Sequence, residues 1–411
     1  MNPLLVVLLL ALIGLAGARL SFTGAQTRLG PRIVFAIGIP FIFVGFVLGP
    51  HLLGILSQPV LDQLTPLLAL GLGWIGLLFG LQLDRDHLRK FPSSYLALAW
   101  LQAAVAFAIV FSLGELIIEA WFSTRQVAIV LAAAATASVS TPAVVALISN
   151  TYRARGRTTR FLFYVASLDG AVGILALGLT TSAHRAGMLG RGEALSLIEW
   201  FVISTLLGCF FGILLLSLTR IRPSSDELVL LLIGLVLFAA GAAFYLALSP
   251  LFICMIAGIV IGNLSPIRRR VYGSLVTWEK PIYVVMLVLA GALLRFRSWW
   301  IVPLALAYVG ARLLAKWLGG WAASRLRPRS LKFPDRFGLA LTPQGGISLA
   351  MAISFVVIYV PTAPELALAL DVFFATVVIA VGISDLLGPF LVRDVLERAG
   401  ELDRASSRPA A

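Results

Sequence analysis

The chain is short of charge. Only 12% of its 411 residues are Asp, Glu, Lys or Arg, about half of the roughly one-quarter usual in soluble domains. Cysteine is scarcer still. Cys209 and Cys254 both fall inside apolar runs and read as buried thiols, so neither a disulfide nor a cysteine metal site is expected. His51, His87 and His184 lie near the ends of apolar runs and are given no role. No polar stretch is long enough for a soluble domain, and the tail from Arg393, RDVLERAGELDRASSRPAA, is too short to make one. The first twenty residues hold an Ala-Gly-Ala at 16–18 that resembles a cleavage site, but no basic residue precedes the apolar run. A secretory signal would carry one, so this segment reads as a first span.

What is abundant is apolar sequence. Hydrophobic residues make up 60% of the chain, in recurring runs of the length that crosses a bilayer. The fold class is therefore an all-α polytopic membrane protein. Thirteen spans are expected, at 3–20, 31–49, 65–83, 94–119, 126–149, 160–181, 196–219, 227–247, 249–263, 281–296, 299–322, 337–360 and 366–392. Residues 1–392 then form the membrane domain and 393–411 a short tail. The net charge of +13 is distributed accordingly. Of the 32 Lys and Arg, 25 fall in odd-numbered loops and the tail, five in even-numbered loops, and two inside a span. This alternation excludes a clustered nucleic-acid face. It places the N-terminus outside and the C-terminus in the cytoplasm of a cell membrane.

The spans repeat. The second ends VGFVLGP and the ninth AGIVIGN, matching Gly45 with Gly258 and Gly49 with Gly262. The third ends LLFGLQLD and the tenth VLAGALLR, matching Gly80 with Gly291. The fifth and twelfth carry Thr-Pro pairs, Thr141-Pro142 and Thr342-Pro343. Each pair is seven spans apart, so the copies cross the membrane in opposite senses. That is an inverted-topology repeat, a common build of secondary transporters.

Proline in an apolar span removes a donor and clashes with the preceding turn. Pro142 and Pro343 are read as kinks or as full breaks. Thr136, Ser138, Ser140 and Thr141 around the first, and Gln344, Gly345 and Gly346 after the second, favour breaks. Paired breaks in inverted repeats point to a midplane binding site. In the next span stands Asp169, alone among apolar neighbours in FLFYVASLDGAVGILALGL. A central carboxylate costs roughly 2.5–3.5 kcal/mol on insertion scales. It is read as a packing residue held by a partner or as a seat that takes a cation or a proton by turns; depth favours the second. The eleventh span supplies Arg312 and Lys316, four apart on one face. They are read as snorkelling cations, as partners of Asp169, or as compensation for the broken helix ends. Glu115, Glu119, Asp371, Asp385 and Asp394 are read as solvated or paired groups towards the span ends.

Taken in order, GFVLGP, LGLGWIGLLFGLQLDRDHLRK, ASVSTPAVVALI, the Asp169 span, AKWLGGW and LTPQGGISLAMAIS resemble the monovalent cation:proton antiporters, in particular the bacterial branch of sodium/proton antiporters and potassium-efflux transporters. The resemblance implies a core with two crossing broken helices and a scaffold that makes a homodimer. It also implies an elevator-like motion of one against the other. It maps the family's essential carboxylate onto Asp169 and its basic residue onto Lys316, with Arg312 as the fallback. The polar residues of the first break map onto Ser140 and Thr141. The family's polar residue before the essential Asp is here Leu168. A single carboxylate resembles the electroneutral members. The expected substrates are thus Na⁺ or K⁺ and H⁺, without cofactor, catalytic residue or nucleic acid. The rival readings are a sodium-coupled symporter of an organic anion and a non-transporting sensor or assembly subunit that kept the fold.

Overall fold

A computed structural model describes residues 3–22, 38–89, 92–121, 126–188, 195–221, 223–326, 334 and 336–402. Every regular element among them is helical. The helices at the span positions are α1 (Pro3–Phe22), α2 (Ile39–Leu48), α3 (Thr65–Gln82), α4 (Ser93–Trp121), α5a (Val127–Ser138) and α5b (Pro142–Thr151). Then follow α6 (Arg157–Met188), α7 (Leu197–Leu218), α8 (Ser225–Tyr245), α9 (Pro250–Leu264), α10 (Arg268–Leu293) and α11 (Ile301–Leu326). A 3₁₀ turn (Phe337–Leu341) precedes α12 (Gly345–Thr362), and α13 (Ala367–Arg398) is the last described helix.

Ten stretches are long and apolar enough to cross a membrane, and three shorter apolar helices, Leu5–Arg19, Ile39–Leu48 and Pro250–Leu264, occupy the remaining expected positions. The first part of the expected second span, 31–37, lies outside the described residues. Helices α6, α10 and α13 run past the expected spans. The clearest case is α10, which begins at Arg268 and carries Pro281 inside it. Arg, Tyr, Trp, Glu and Lys there interrupt the apolar run without interrupting the helix, because straight-chain polar residues are good helix formers. Local chemistry sets several starts. Ser196 with Glu199 opens α7 and Ser224 with Glu227 opens α8, each as a reciprocal capping box.

The chain forms two compact units, interleaved in sequence. The first comprises Met1–Leu88, Leu177–Phe296 and Ile353–Asp371, the second Arg89–Ala176, Arg297–Ala352 and Val372–Ala411. In the first unit a hydrophobic core around Trp74, Trp200, Phe211 and Leu232 joins α3 with α7, α8 and α9. The repeat is visible in its closest crossings. A Cβ on Gly80 of α3 would lie 2.9 Å from Gly258 Cα of α9, and one on Gly258 as close to Gly80 Cα. Exchanging each glycine for its repeat equivalent turns this α3·α9 contact into one between Gly291 of α10 and Gly45 of α2. There the backbones also touch, Gly45 against Val288 and Gly291 against Ile42. Both crossings exclude any side chain at the glycine, so matched glycines make matched contacts. The second unit holds α4, both halves of α5, most of α6, α11, the 3₁₀ turn, the start of α12 and most of α13. Its small-residue core, Ala106, Ala134, Ala137, Ala315 and Ala380 with Tyr308 and Val309, lets these helices approach closely.

Candidate exchange site at two crossed helix breaks

Both breaks form. α5a stops at Ser138, Val139 and Thr141 are extended (ψ 143° and 131°), and α5b starts at Pro142. A residue before proline is pushed out of the helical region, and Pro142 at the first helical position loses no bond it would have made. The Thr141 hydroxyl accepts from Ala143 N at 3.4 Å, capping α5b weakly. In the second break the 3₁₀ turn ends at Leu341, and Pro343 lies between it and α12. Gly345 opens α12 with φ +61°, where a side chain would be strained and would meet Thr141 Cβ at 2.8 Å. The two breaks touch, Thr141 N donating to Pro343 O at 2.8 Å. The Thr136 and Ser138 hydroxyls donate to the backbone, to Ala133 O and Ala135 O at 2.8 Å each.

Beside this crossing lies Asp169, fully buried on α6, with Lys316 and Arg312 equally buried on α11. Lys316 Nζ lies 2.8 Å from Asp169 Oδ2, 2.8 Å from Ser140 Oγ, 2.7 Å from Ser138 O and 3.4 Å from Gln102 Oε1. The Ser140 hydroxyl lies 2.7 Å from Asp169 Oδ2 and 2.8 Å from Leu341 O, and can donate to either. One carboxylate oxygen is thus shared by an ammonium and a hydroxyl. The other, Oδ1, is buried and has no hydrogen-bond partner among the described residues. A buried ion pair of this kind is costly to break by removing one partner, about 3–5 kcal/mol, yet exchanging one cation for another leaves it paired.

Of the two basic residues that sequence offered as partners, Lys316 makes the ion pair. Arg312 collects backbone carbonyls: Ala137 O at 3.0 Å from Nε, Val139 O at 2.5 Å and Leu341 O at 3.4 Å from Nη2, and Thr342 O from Nη1. These are the carbonyl ends of α5a and of the 3₁₀ turn, where partial negative charge gathers. Thr141 makes its cap and its backbone bond at the crossing. Thr342 Oγ1 is buried without a hydrogen-bond partner among the described residues.

Two residues escaped the sequence reading. Asp385 was expected towards the cytoplasmic face as a solvated or paired group; it is 2% exposed and accepts from Gln344 N at 2.7 Å and Gly345 N at 3.1 Å. α13 is the repeat counterpart of α6, so each repeat puts one carboxylate beside its own break. Gln102 on α4 meets Lys316 on α11, its counterpart helix; a lone Gln in an apolar run gave no signal.

A family model for the transmembrane part of sodium/hydrogen exchangers matches residues 5–393. The chain belongs to the sodium/hydrogen exchanger family. It is a member of the monovalent cation:proton antiporter superfamily, a transporter and not an enzyme. By fold it is similar to the sodium proton antiporter MjNhaP1 from Methanocaldococcus jannaschii at pH 8, with a TM-score of 0.70, 15% identity, and 96% of this chain and 100% of that chain covered. A structure of the same antiporter from an electron-microscopy map gives 0.64 at 14% identity, with both chains covered completely. No curated protein matches the chain by sequence. At such identities the structural likeness speaks for the fold alone; the family match carries cation/proton exchange.

Proposed function

We propose that this family member exchanges Na⁺ or K⁺ for H⁺, one for one, at the Asp169 carboxylate. The observation that carries the reading is the state of that carboxylate: buried at two crossed breaks, with Oδ2 shared by Lys316 and Ser140 and Oδ1 unpartnered among the described residues. A monovalent cation arriving at Asp169 replaces the ammonium. Lys316 then keeps Ser138 O and Gln102 Oε1 as acceptors, and either it or Asp169 gives up a proton in the cycle. If only one of the two changes protonation, each cation moved is matched by one proton and the occupied site keeps its charge. Ser140 and the carbonyls around the breaks supply neutral oxygens, as a desolvated cation requires. Arg312 holds those carbonyls in register, and Pro142, Thr342, Pro343, Gln344 and Gly345 build the breaks.

The charge pattern of the loops supports an outward N-terminus and a cytoplasmic C-terminus in the cell membrane, and the family resemblance supports a homodimer. The contacts of Arg312 and Lys316 with carbonyls, a hydroxyl and Asp169 favour cation exchange over symport of an organic anion. The test is exchange in proteoliposomes loaded with a pH-sensitive dye. Addition of Na⁺ or K⁺ should shift internal pH with the intact protein and leave it unchanged with Asp169→Asn. Undiminished exchange in that variant ends the reading.

A further inference from the structure

Asp169 has a counterpart that does different work. Asp385 sits on α13, seven spans after α6, and is as deeply buried. Both of its oxygens are engaged: Oδ1 takes Gln344 N at 2.7 Å and Gly345 N at 3.1 Å, and Oδ2 takes Gly345 N at 3.1 Å. These N–H groups open α12, where unpaired donors and the positive end of the helix favour a fixed anion. The contacts continue beyond the backbone. Gln344 Nε2 reaches Thr136 O at 3.0 Å and Tyr308 Oη at 3.2 Å, and Ser348 Oγ, one turn into α12, reaches the same Thr136 O at 3.1 Å. Tyr308 Oη also lies 3.0 Å from Thr136 Oγ1. Thr136 belongs to the last turn of α5a, which leads directly into Ser138 and Ser140. A continuous chain of bonds therefore runs from Asp385, through Gln344, to the segment that presents the Ser138 carbonyl and the Ser140 hydroxyl to Lys316 and Asp169.

We propose that Asp385 is a positioning residue of the exchange site: a fixed carboxylate that pins the start of α12 and, through the Gln344 side chain, holds the end of α5a, so that the oxygens around Asp169 keep their spacing. Each repeat thus brings one carboxylate from its sixth helix to a break, and the two serve different roles. Asp169, half-satisfied, changes partners. Asp385, saturated by backbone donors, keeps them. Arg312 complements it by holding the carbonyl ends of the same two breaks, so the second break is anchored by both signs of charge and the first by Arg312 directly and by Asp385 through Gln344. Breaking the Asp385 anchor leaves the transported charges in place and loosens the cage around them. The cost falls on how well a bare cation is held and less on how fast an occupied site turns over.

The inference rests on Asp169 being the exchange seat, and the experiment separates the two claims. Initial exchange rates are measured across a range of Na⁺ and K⁺ concentrations for the intact protein, Asp169→Asn, Asp385→Asn, Asp385→Glu and Gln344→Leu. Asp385→Asn keeps the size of the side chain and removes its charge and one acceptor; Gln344→Leu keeps the Asp385 bonds, which go to backbone N–H groups, and cuts the side-chain links to Thr136, Tyr308 and Ser348. Both should raise the apparent KM about 10-fold while the rate at saturating cation stays within about 3-fold, and Asp385→Glu should recover part of the loss. If Asp385→Asn does not fold, Gln344→Leu decides, with the same expected KM shift. Unchanged KM in the folded variants overturns the proposal. So does complete loss of exchange at every concentration in folded Asp385→Asn, which would make Asp385 a carrier of the transported charge. An active Asp169→Asn would instead defeat the exchange-seat reading and leave the result at Asp385 to be read separately.

Discussion

Arg312 shows what one side chain can do in a place without water. Four carbonyls from two interrupted helices meet a single guanidinium, and the planar fork suits several acceptors at once in a way an ammonium cannot. Arg312→Lys keeps the charge and forfeits most of those bonds. At about 1.5–3 kcal/mol for each bond to a charged group, losing even one should lower the thermal midpoint of the detergent-solubilised protein by several degrees. An unchanged midpoint would mean that the carbonyl ends are satisfied in some other way. The sequence placed Arg312 and Lys316 on one helix face and left open which would meet Asp169. That choice depends on how α11 is turned against α5a, a matter of packing among alanines that local pattern does not encode. Asp385 was hidden for a related reason. Counting residues from a span end gave its depth and not its neighbour, the α12 N-terminus.

At the scale of the element, breaks and ends govern the helices that carry charge. Thr-Pro pairs revealed both breaks, because proline's missing donor acts locally and needs no tertiary context. The limits of α6, α10 and α13 were less legible, since a helix may continue through polar residues once its apolar run is over. The far end of α13 illustrates this. After Arg398 the chain turns at Gly400 (φ +70°). Glu401 then caps the start of α6, accepting from Thr158 N at 2.7 Å, Thr159 N at 2.9 Å and Thr159 Oγ1 at 2.7 Å. Partial burial works to raise the Glu401 pKa, but the bonds from Thr159 and Thr158 outweigh it and hold the carboxyl below its ordinary value. A carboxyl with a depressed folded pKa stabilises the cap at all pH above the unfolded value. That contribution is lost as pH falls through the folded value. A spin label at Leu402→Cys should therefore stay ordered at neutral pH and gain mobility only once the pH has fallen below the ordinary glutamate range. In Glu401→Gln it should be mobile throughout. Mobility that rises already between pH 6 and 8 in the intact cap would contradict this assignment.

For the whole molecule, the inverted repeat is the organising fact. Short glycine and Thr-Pro matches announced it, and the structure gives it substance: equivalent glycines make equivalent crossings, and equivalent helices α6 and α13 each bring a carboxylate to a break. The repeats then diverge, one carboxylate paired with Lys316 and the other with backbone donors, and that divergence lay beyond what pattern matching could show. Under the proposed exchange, one proton changing place for each cation means transport without net charge movement. Exchange rates in proteoliposomes should accordingly be the same with and without an imposed potassium-diffusion potential, using Na⁺ as the substrate. A rate that follows the potential would require a second proton per cation, with both Asp169 and Lys316 changing protonation.

The central claim is that metal ion and proton contend for one buried acid and its ammonium partner. It is tested most directly by adding Na⁺ or K⁺ to the purified protein in weakly buffered detergent solution and counting protons released for each cation bound. The account expects close to one proton per cation with the intact protein, and neither binding nor release with Asp169→Asn. Cation binding that releases no proton, or release that persists without the Asp169 carboxylate, would contradict it.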